Sequence, residues 1–291
     1  MRLPDFIGVG PPRTGTTWLH QVLEGHLALP RGVKETLFFN RYYSKALKWY
    51  AHHFRDYPSD LPAGEITPAY FDSTQVRERI SHDIPECKII CTFREPVERL
   101  YSMYKLMRHY GWTQAPFERA IASHEPTIES GRYTHYLKQW QSTFGPQRVL
   151  VCLYDDLQLD PQAYLDRVTD FVGARRIDLA KSLKATARVW GFERAPRSPR
   201  LAGRAWQLNR ALSRRGSYRV SNLLERIGFW QYCFGRGEPF PRLDAEVAAR
   251  LREAYRPEVA EFERLIGRDL SAWKRATVRA PARAAAPADA R

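Results

Sequence analysis

An apolar strand pattern that breaks at a glycine–proline turn and restarts as a helix constrains this chain more than any other feature. Phe6, Ile7, Gly8 and Val9 form the apolar run, and Gly10, Pro11, Pro12, Arg13, Thr14 and Gly15 form the turn. A helix is predicted to open at Thr16 or Thr17 and to run to about His26, with Trp18 and Leu19 in its first turn. Such a turn aims several backbone N–H groups and the positive end of a helix dipole at one spot, which suits a phosphate.

Gly10 and Gly15 flank four residues and Thr17 follows with a hydroxyl, which is the spacing of the nucleotide-triphosphate P-loop. Thr16 stands where that motif has its lysine, and the cation sits inside the turn as Arg13. The loop is built for an anion, and the missing lysine argues against the β/γ-phosphates of ATP.

Downstream, strand and helix patterns alternate, which predicts α/β architecture: a P-loop-like three-layer fold whose central, mainly parallel sheet is flanked by helices. Strands are expected over residues 64–66, 87–93 and 148–154, the last two as buried strands. Helices are expected over 44–54, 73–82 with Ser73 or Asp72 as cap, 96–110 opened by Pro96, 161–173 after Asp160, and 245–266. One domain over 1–275 is expected, with a basic insertion at 184–231 and a disordered Ala/Pro/Arg tail at 276–291.

The net charge of +14 and the pI near 9.8 favour anionic partners: nucleotides, acidic glycans, anionic lipid or nucleic acid. Residues 184–219 hold ten basic residues against the single acidic Glu193. That stretch admits three readings: a solvated loop, a surface for an anionic acceptor, or an amphipathic helix around Trp206, Leu208 and Leu212 on an anionic membrane. Met1 leads straight into the first strand and no run is long enough to span a bilayer. Cys87, Cys91, Cys152 and Cys233 show no metal-ligand spacing, so no metal site is expected and the cytoplasm is the expected compartment.

The strand over 87–93 ends in Arg94-Glu95-Pro96-Val97-Glu98-Arg99-Leu100-Tyr101-Ser102. A P-loop NTPase would often offer an aspartate at such a strand end to help hold Mg²⁺, whereas this chain offers arginine. Ligands of open α/β sheets sit beyond the carboxyl ends of the strands, so Arg94 and the Arg13 loop are expected to share one crevice. Two cationic sites suit a nucleotide with two separate phosphates.

Pro-Arg-Thr-Gly-Thr-Thr-Trp-Leu at 12–19, followed by Phe-Arg-Glu-Pro-x2-Arg-x2-Ser at 93–102, resembles the sulfotransferases that use 3′-phosphoadenosine 5′-phosphosulfate (PAPS). The closer similarity is to the heparan sulfate N- and O-sulfotransferases. It is carried by Glu35-Thr36-Leu37-Phe38-Phe39, Trp49-Tyr50, Thr67-Pro68-Ala69-Tyr70-Phe71, Gly131-Arg132-Tyr133 with Leu137 and Trp140, and the late Gly235-Arg236 turn. It spans about residues 5–180 and 232–273.

The resemblance implies sulfuryl transfer from PAPS to a hydroxyl or amine, leaving adenosine 3′,5′-bisphosphate. Arg13, Thr14, Gly15, Thr16, Thr17 and Trp18 would hold the 5′-phosphosulfate, Arg94 and Ser102 the 3′-phosphate, and Gly235 and Arg236 would close over the phosphates. Glu35 would be the general base, with Arg13 and Lys34 as catalytic cations, and its apolar neighbours would partly desolvate it. Phe38, Tyr70 and His135 would face the acceptor, a glycan or lipid-linked molecule. Two departures stand out: Ile66 replaces a lysine common in the heparan enzymes, and the late cysteine pair of the Golgi relatives is absent. The competing readings are an ATP-dependent P-loop kinase and a basic nucleic-acid-binding protein; the chain shows no basic–aromatic module of a known reader, so no nucleic acid is expected.

Overall fold

The computed structural model describes residues 1–181, 194–214, 220, 223–224, 226–234 and 236–275. Gly235, the tail 276–291 and most of 182–225 outside 194–214 lie beyond the described residues, as do the expectations that fall on them. The described elements, in chain order, begin with β1 (Phe6–Gly10), α1 (Thr16–Leu23), α2 (Ala46–Ala51), β2 (Gly64–Ile66), α3 (Thr74–Asp83), β3 (Lys88–Phe93) and α4 (Pro96–His109). They continue with α5 (Phe117–Ala122), α6 (Glu125–Glu129), α7 (Tyr133–Phe144), β4 (Val149–Leu153), α8 (Tyr154–Leu159), α9 (Pro161–Val172), β5 (Arg194–Pro196) and α10 (Pro199–Arg214).

The sheet is parallel throughout, in the order β2-β1-β3-β4. The chain leaves β1 for one side and later returns to β3 on the other. The carboxyl ends of β1 and β3 therefore form the point where strand order reverses, the place where open α/β sheets bind ligands. One sheet face packs Phe6, Ile66, Ile90 and Cys152 against Trp18 and Leu19 of α1 and Tyr164, Leu165 and Val168 of α9. The opposite face carries Phe93, whose ring meets Tyr133 of α7 edge-on at 5.0 Å and Phe71 at 5.5 Å. This two-sided burial explains why β3 is an almost unbroken apolar run. The strand over 148–154 differs from expectation: β4 is an edge strand with Leu150 and Val151 only half-buried, because no fifth strand pairs with it among the described residues.

Helix starts follow their local chemistry. Ser73 caps α3 through the Val76 N–H at 3.3 Å, and Asp160 caps α9 through the Ala163 N–H at 3.0 Å. Pro96 occupies the first position of α4, while the Glu95 carboxylate accepts from the N–H groups of Val97 and Glu98. Of the basic stretch, residues 199–214 form a helix, which buries Ala202 and Ala205. The chain divides into two compact units, Met1–Pro241 and Arg242–Arg291. The second unit holds the helix Ala245–Ile266, which buries Ala248, Arg252, Val259 and Phe262. Of the apolar stripe expected there, Val259 and Phe262 are buried, while Val247, Leu251 and Tyr255 stay half-exposed.

Candidate functional site

Gly10 has φ +96°, and a Cβ there would lie 2.6 Å from Pro68 Cα, so no larger residue can end β1 against the 68–70 turn. Gly15, at φ +94°, is the N-cap of α1 and lies under Tyr154 and Leu157. Between the two glycines, Thr14 anchors the loop. Its hydroxyl donates to Pro11 O at 2.7 Å and pairs with the Thr92 hydroxyl at 2.6 Å, which ties the turn to β3. Thr14 is fully buried, so its side chain supports the loop and does not line the cleft. Trp18 likewise sends its ring into the core, 5.9 Å from Tyr164.

A cleft opens where the ends of β1 and β3 meet, lined by Arg13, Gly15, Thr16, Thr17, Trp18, Arg94, Ser102 and Tyr154. The two nucleotide motifs of the sequence therefore meet in one place. Arg13, itself at φ +75°, donates from Nε to Ser102 Oγ at 3.0 Å. Arg94 lies over the Tyr154 ring at 4.4 Å and reaches Glu98 at 3.4 Å, and its carbonyl accepts from Tyr133 OH at 2.9 Å. Burial, with the Arg94 charge second, pulls the Arg13 guanidinium down to about 10. Two arginines held together in a partly dry cleft form a site whose electrostatics favour a bound anion. His109, at the end of α4, is pushed down to about 4, chiefly by burial with the Arg13 charge adding, and is neutral at pH 7.

Lys34 joins this cleft to the proposed base. Its Nζ donates to Thr17 Oγ1 at 3.3 Å and to Glu35 Oε1 at 2.9 Å. Phe38 and Phe39 turn into an aromatic core, Phe38 stacking on Tyr50 at 4.7 Å, and the Glu35 side chain keeps 29% of its surface exposed. Phe38 and Tyr70, read as acceptor contacts, are 1% and 0% exposed and so support the loop from behind. His135 is exposed on α7, where it meets Gln139 Nε2 at 2.9 Å, and it does not line the cleft. Arg236 opens the strand Arg236–Pro239, which pairs antiparallel with β5. Ile66 is fully buried in the core, so its position offers no group to the cleft.

Tyr154, which lines the cleft, and Glu98 and His109, which neighbour its arginines, were not foreseen. Tyr154 follows β4 directly, so the rule that strand ends carry the site would have found it. Glu65 was also missed: burial pushes its carboxyl up to about 7.

A family described as the sulfotransferase domain matches residues 3–195. Heparan sulfate glucosamine 3-O-sulfotransferase 3B1 of Homo sapiens is 29% identical over 283 residues, covering 92% of this chain and 64% of that protein. Bifunctional heparan sulfate N-deacetylase/N-sulfotransferase 2 of Homo sapiens is 30% identical over 59% of this chain and 22% of its own length. The chain thus spans less than two thirds of either relative. A solved sulfotransferase from Alicyclobacillus acidocaldarius has the same fold, with a TM-score of 0.67 at 19% identity over 94% of this chain and all of that one. With the phosphate loop, the arginine strand end and a match over most of its length, the chain belongs to the sulfotransferase domain family.

Proposed function

We propose that this protein is a PAPS-dependent sulfotransferase that uses Glu35 as general base toward a hydroxyl or amine of a glycan-like acceptor. One observation carries the reading: Lys34 bridges Thr17 and Glu35, which ties a carboxylate to the N-terminus of α1, at the same cleft as Arg13 and Arg94. The donor set fits a nucleotide with two phosphates, because α1, Arg13 and Arg94 offer separate cationic and N–H groups. When bound, PAPS supplies the activated sulfuryl group and a bisphosphate leaving group.

The roles of the chain's own residues follow from their chemistry. Backbone N–H groups at Gly15–Thr17 and the Thr16 and Thr17 hydroxyls hold the 5′ end. Arg94 and Ser102 take the 3′-phosphate, with the Tyr154 ring fixing the guanidinium plane. Arg13 and Lys34 stabilise negative charge that develops on departure, and Lys34 provides the cation that buried Ile66 cannot. Glu35 accepts the proton that the attacking group loses.

The kinase alternative is not favoured, since Thr16 stands in the lysine position and Arg94 at the β3 end. The glycan-like acceptor is supported by the relatives, which are named for heparan sulfate. For α10, Arg200, Arg204 and Arg210 support contact with an anionic acceptor or a membrane bearing one. All four cysteines are buried free thiols, which supports a reducing compartment such as the cytoplasm. The test is transfer from PAPS to heparan sulfate followed by mass spectrometry. Glu35→Gln should lower kcat about 10²–10⁴-fold with bisphosphate affinity unchanged. Near-normal turnover of that variant would remove Glu35 from the mechanism.

A further inference from the structure

Glu65 sits on β2 between Gly64 and Ile66, and it is fully buried. A carboxyl in that place is costly, and nothing in sheet formation requires one. It cannot touch a substrate, so it is not a second base. Its Oε2 accepts from Thr36 Oγ1 at 2.5 Å, across 29 residues of chain. Thr36 Oγ1 in turn accepts from the Phe38 N–H at 3.2 Å.

The same short segment is held at three further points. The Phe39 N–H donates to Tyr70 OH at 3.2 Å, Arg79 donates to Phe39 O at 2.6 Å, and the Phe38 ring is stacked on Tyr50. These contacts enforce backbone that is otherwise unfavourable. Leu37 has φ +53°, a left-handed conformation for a bulky residue, and a π-turn follows at Phe38–Tyr42. Strained backbone of this kind persists only where surrounding contacts determine it, and it concentrates at functional sites. Immediately before it in the chain stand Lys34, which reaches Thr17 of α1, and Glu35, which pairs with Lys34.

We propose that Glu65, acting through Thr36, is a positioning residue that fixes the segment 34–39 so that Lys34 and Glu35 face the cleft. The inference rests on the sulfotransferase reading for its effect on turnover. The titratable groups around Glu65 are Tyr50, Tyr70, Cys87 and Glu35. Burial pushes Glu65 up to about 7, so Thr36 can donate to either protonation state near neutrality.

The experiment compares Thr36→Val, which keeps the shape and removes the hydroxyl, with Thr36→Ser, which keeps the hydroxyl. Turnover is read as adenosine 3′,5′-bisphosphate released from PAPS with heparan sulfate as acceptor probe, and bisphosphate affinity is measured separately. Thr36→Val should lower kcat about 10–100-fold, the scale of a misplaced catalytic group, with bisphosphate affinity within about 2-fold of the parent. Thr36→Ser should recover kcat to within about 3-fold, and Thr36→Val/Glu65→Gln should be no worse than Thr36→Val alone. A Thr36→Val enzyme with unchanged kcat overturns the proposal, as does one that loses bisphosphate affinity in step with kcat. Hydrogen exchange at the Phe38 amide gives a readout independent of chemistry. It should quicken about 10-fold or more in Thr36→Val while β3 amides stay protected, and unchanged exchange overturns the proposal. If Glu35→Gln turns over normally the base reading fails, and if the parent shows no turnover with heparan sulfate the acceptor reading fails; in either case the exchange result alone decides the positioning role.

Discussion

Replacing Arg13 by methionine should make the unliganded protein more stable while abolishing its response to nucleotide. Arg13 is held at about 10 by burial first and by the neighbouring charge of Arg94 second. A fall of that size corresponds to about 3 kcal/mol by which folding disfavours the charged form at neutral pH. The sign follows from linkage: a base whose folded-state value is depressed destabilises the fold below that value, and the deficit disappears only as pH rises through about 10 and beyond. Methionine removes the charge but also the hydrogen bond to Ser102, worth about 1 kcal/mol. Its backbone strain at φ +75° equals that of arginine, so it cancels. The net expectation is a gain of about 2 kcal/mol, or a Tm rise of roughly 4 °C. Differential scanning fluorimetry with and without adenosine 3′,5′-bisphosphate reads both effects. A variant that melts below the parent when unliganded, yet is stabilised normally by the bisphosphate, would refute the picture of an anion site held in electrostatic tension.

Other perturbations probe separate parts of the account. Glu65→Gln should flatten the pH dependence of stability: the raised carboxyl costs the parent about 3 kcal/mol as pH climbs from its unfolded value through about 7, so the variant should gain relative stability at pH 8 and little at pH 4.5 in urea titrations. Gly10→Ala should destabilise the fold by more than about 2 kcal/mol in the same assay, because its Cβ would meet Pro68 Cα at 2.6 Å. Neutralising Arg200, Arg204 and Arg210 to glutamine should raise the KM for an anionic acceptor at low salt and flatten its salt dependence, with bisphosphate affinity unmoved; an unchanged KM would make α10 an ordinary solvated surface.

The phosphate loop was legible because its signal is local. Apolar strand, glycine turn and helix start occupy adjacent residues, and Gly10 and Gly15 have backbone conformations that glycine adopts most easily. Arg94 was legible for a similar reason, since a strand end can be read from β3 itself. Ser102 was placed with Arg94, yet its hydrogen bond is to Arg13, because the register of β1 beside β3 brings α4 over the loop. Phe38 and Tyr70 misled the reading because an aromatic near a candidate base looks the same in sequence whether it faces solvent or core. Only the left-handed Leu37 and the π-turn after it send Phe38 inward. Glu65 and Thr36 were illegible as a pair, since β2 must first dock beside β1 before the two side chains meet.

The central claim is that the Arg13–Arg94 cleft recognises a nucleotide with phosphates at both the 5′ and 3′ positions. Isothermal titration calorimetry with EDTA present tests it most directly, comparing adenosine 3′,5′-bisphosphate with AMP on the parent and on Arg94→Ala. The account predicts that the parent prefers the bisphosphate and that Arg94→Ala weakens it by about 1.5–3 kcal/mol, the scale of a charge-assisted hydrogen bond, while leaving AMP unchanged. Equal affinity of the parent for the two nucleotides, or an equal loss for both in the variant, would contradict it.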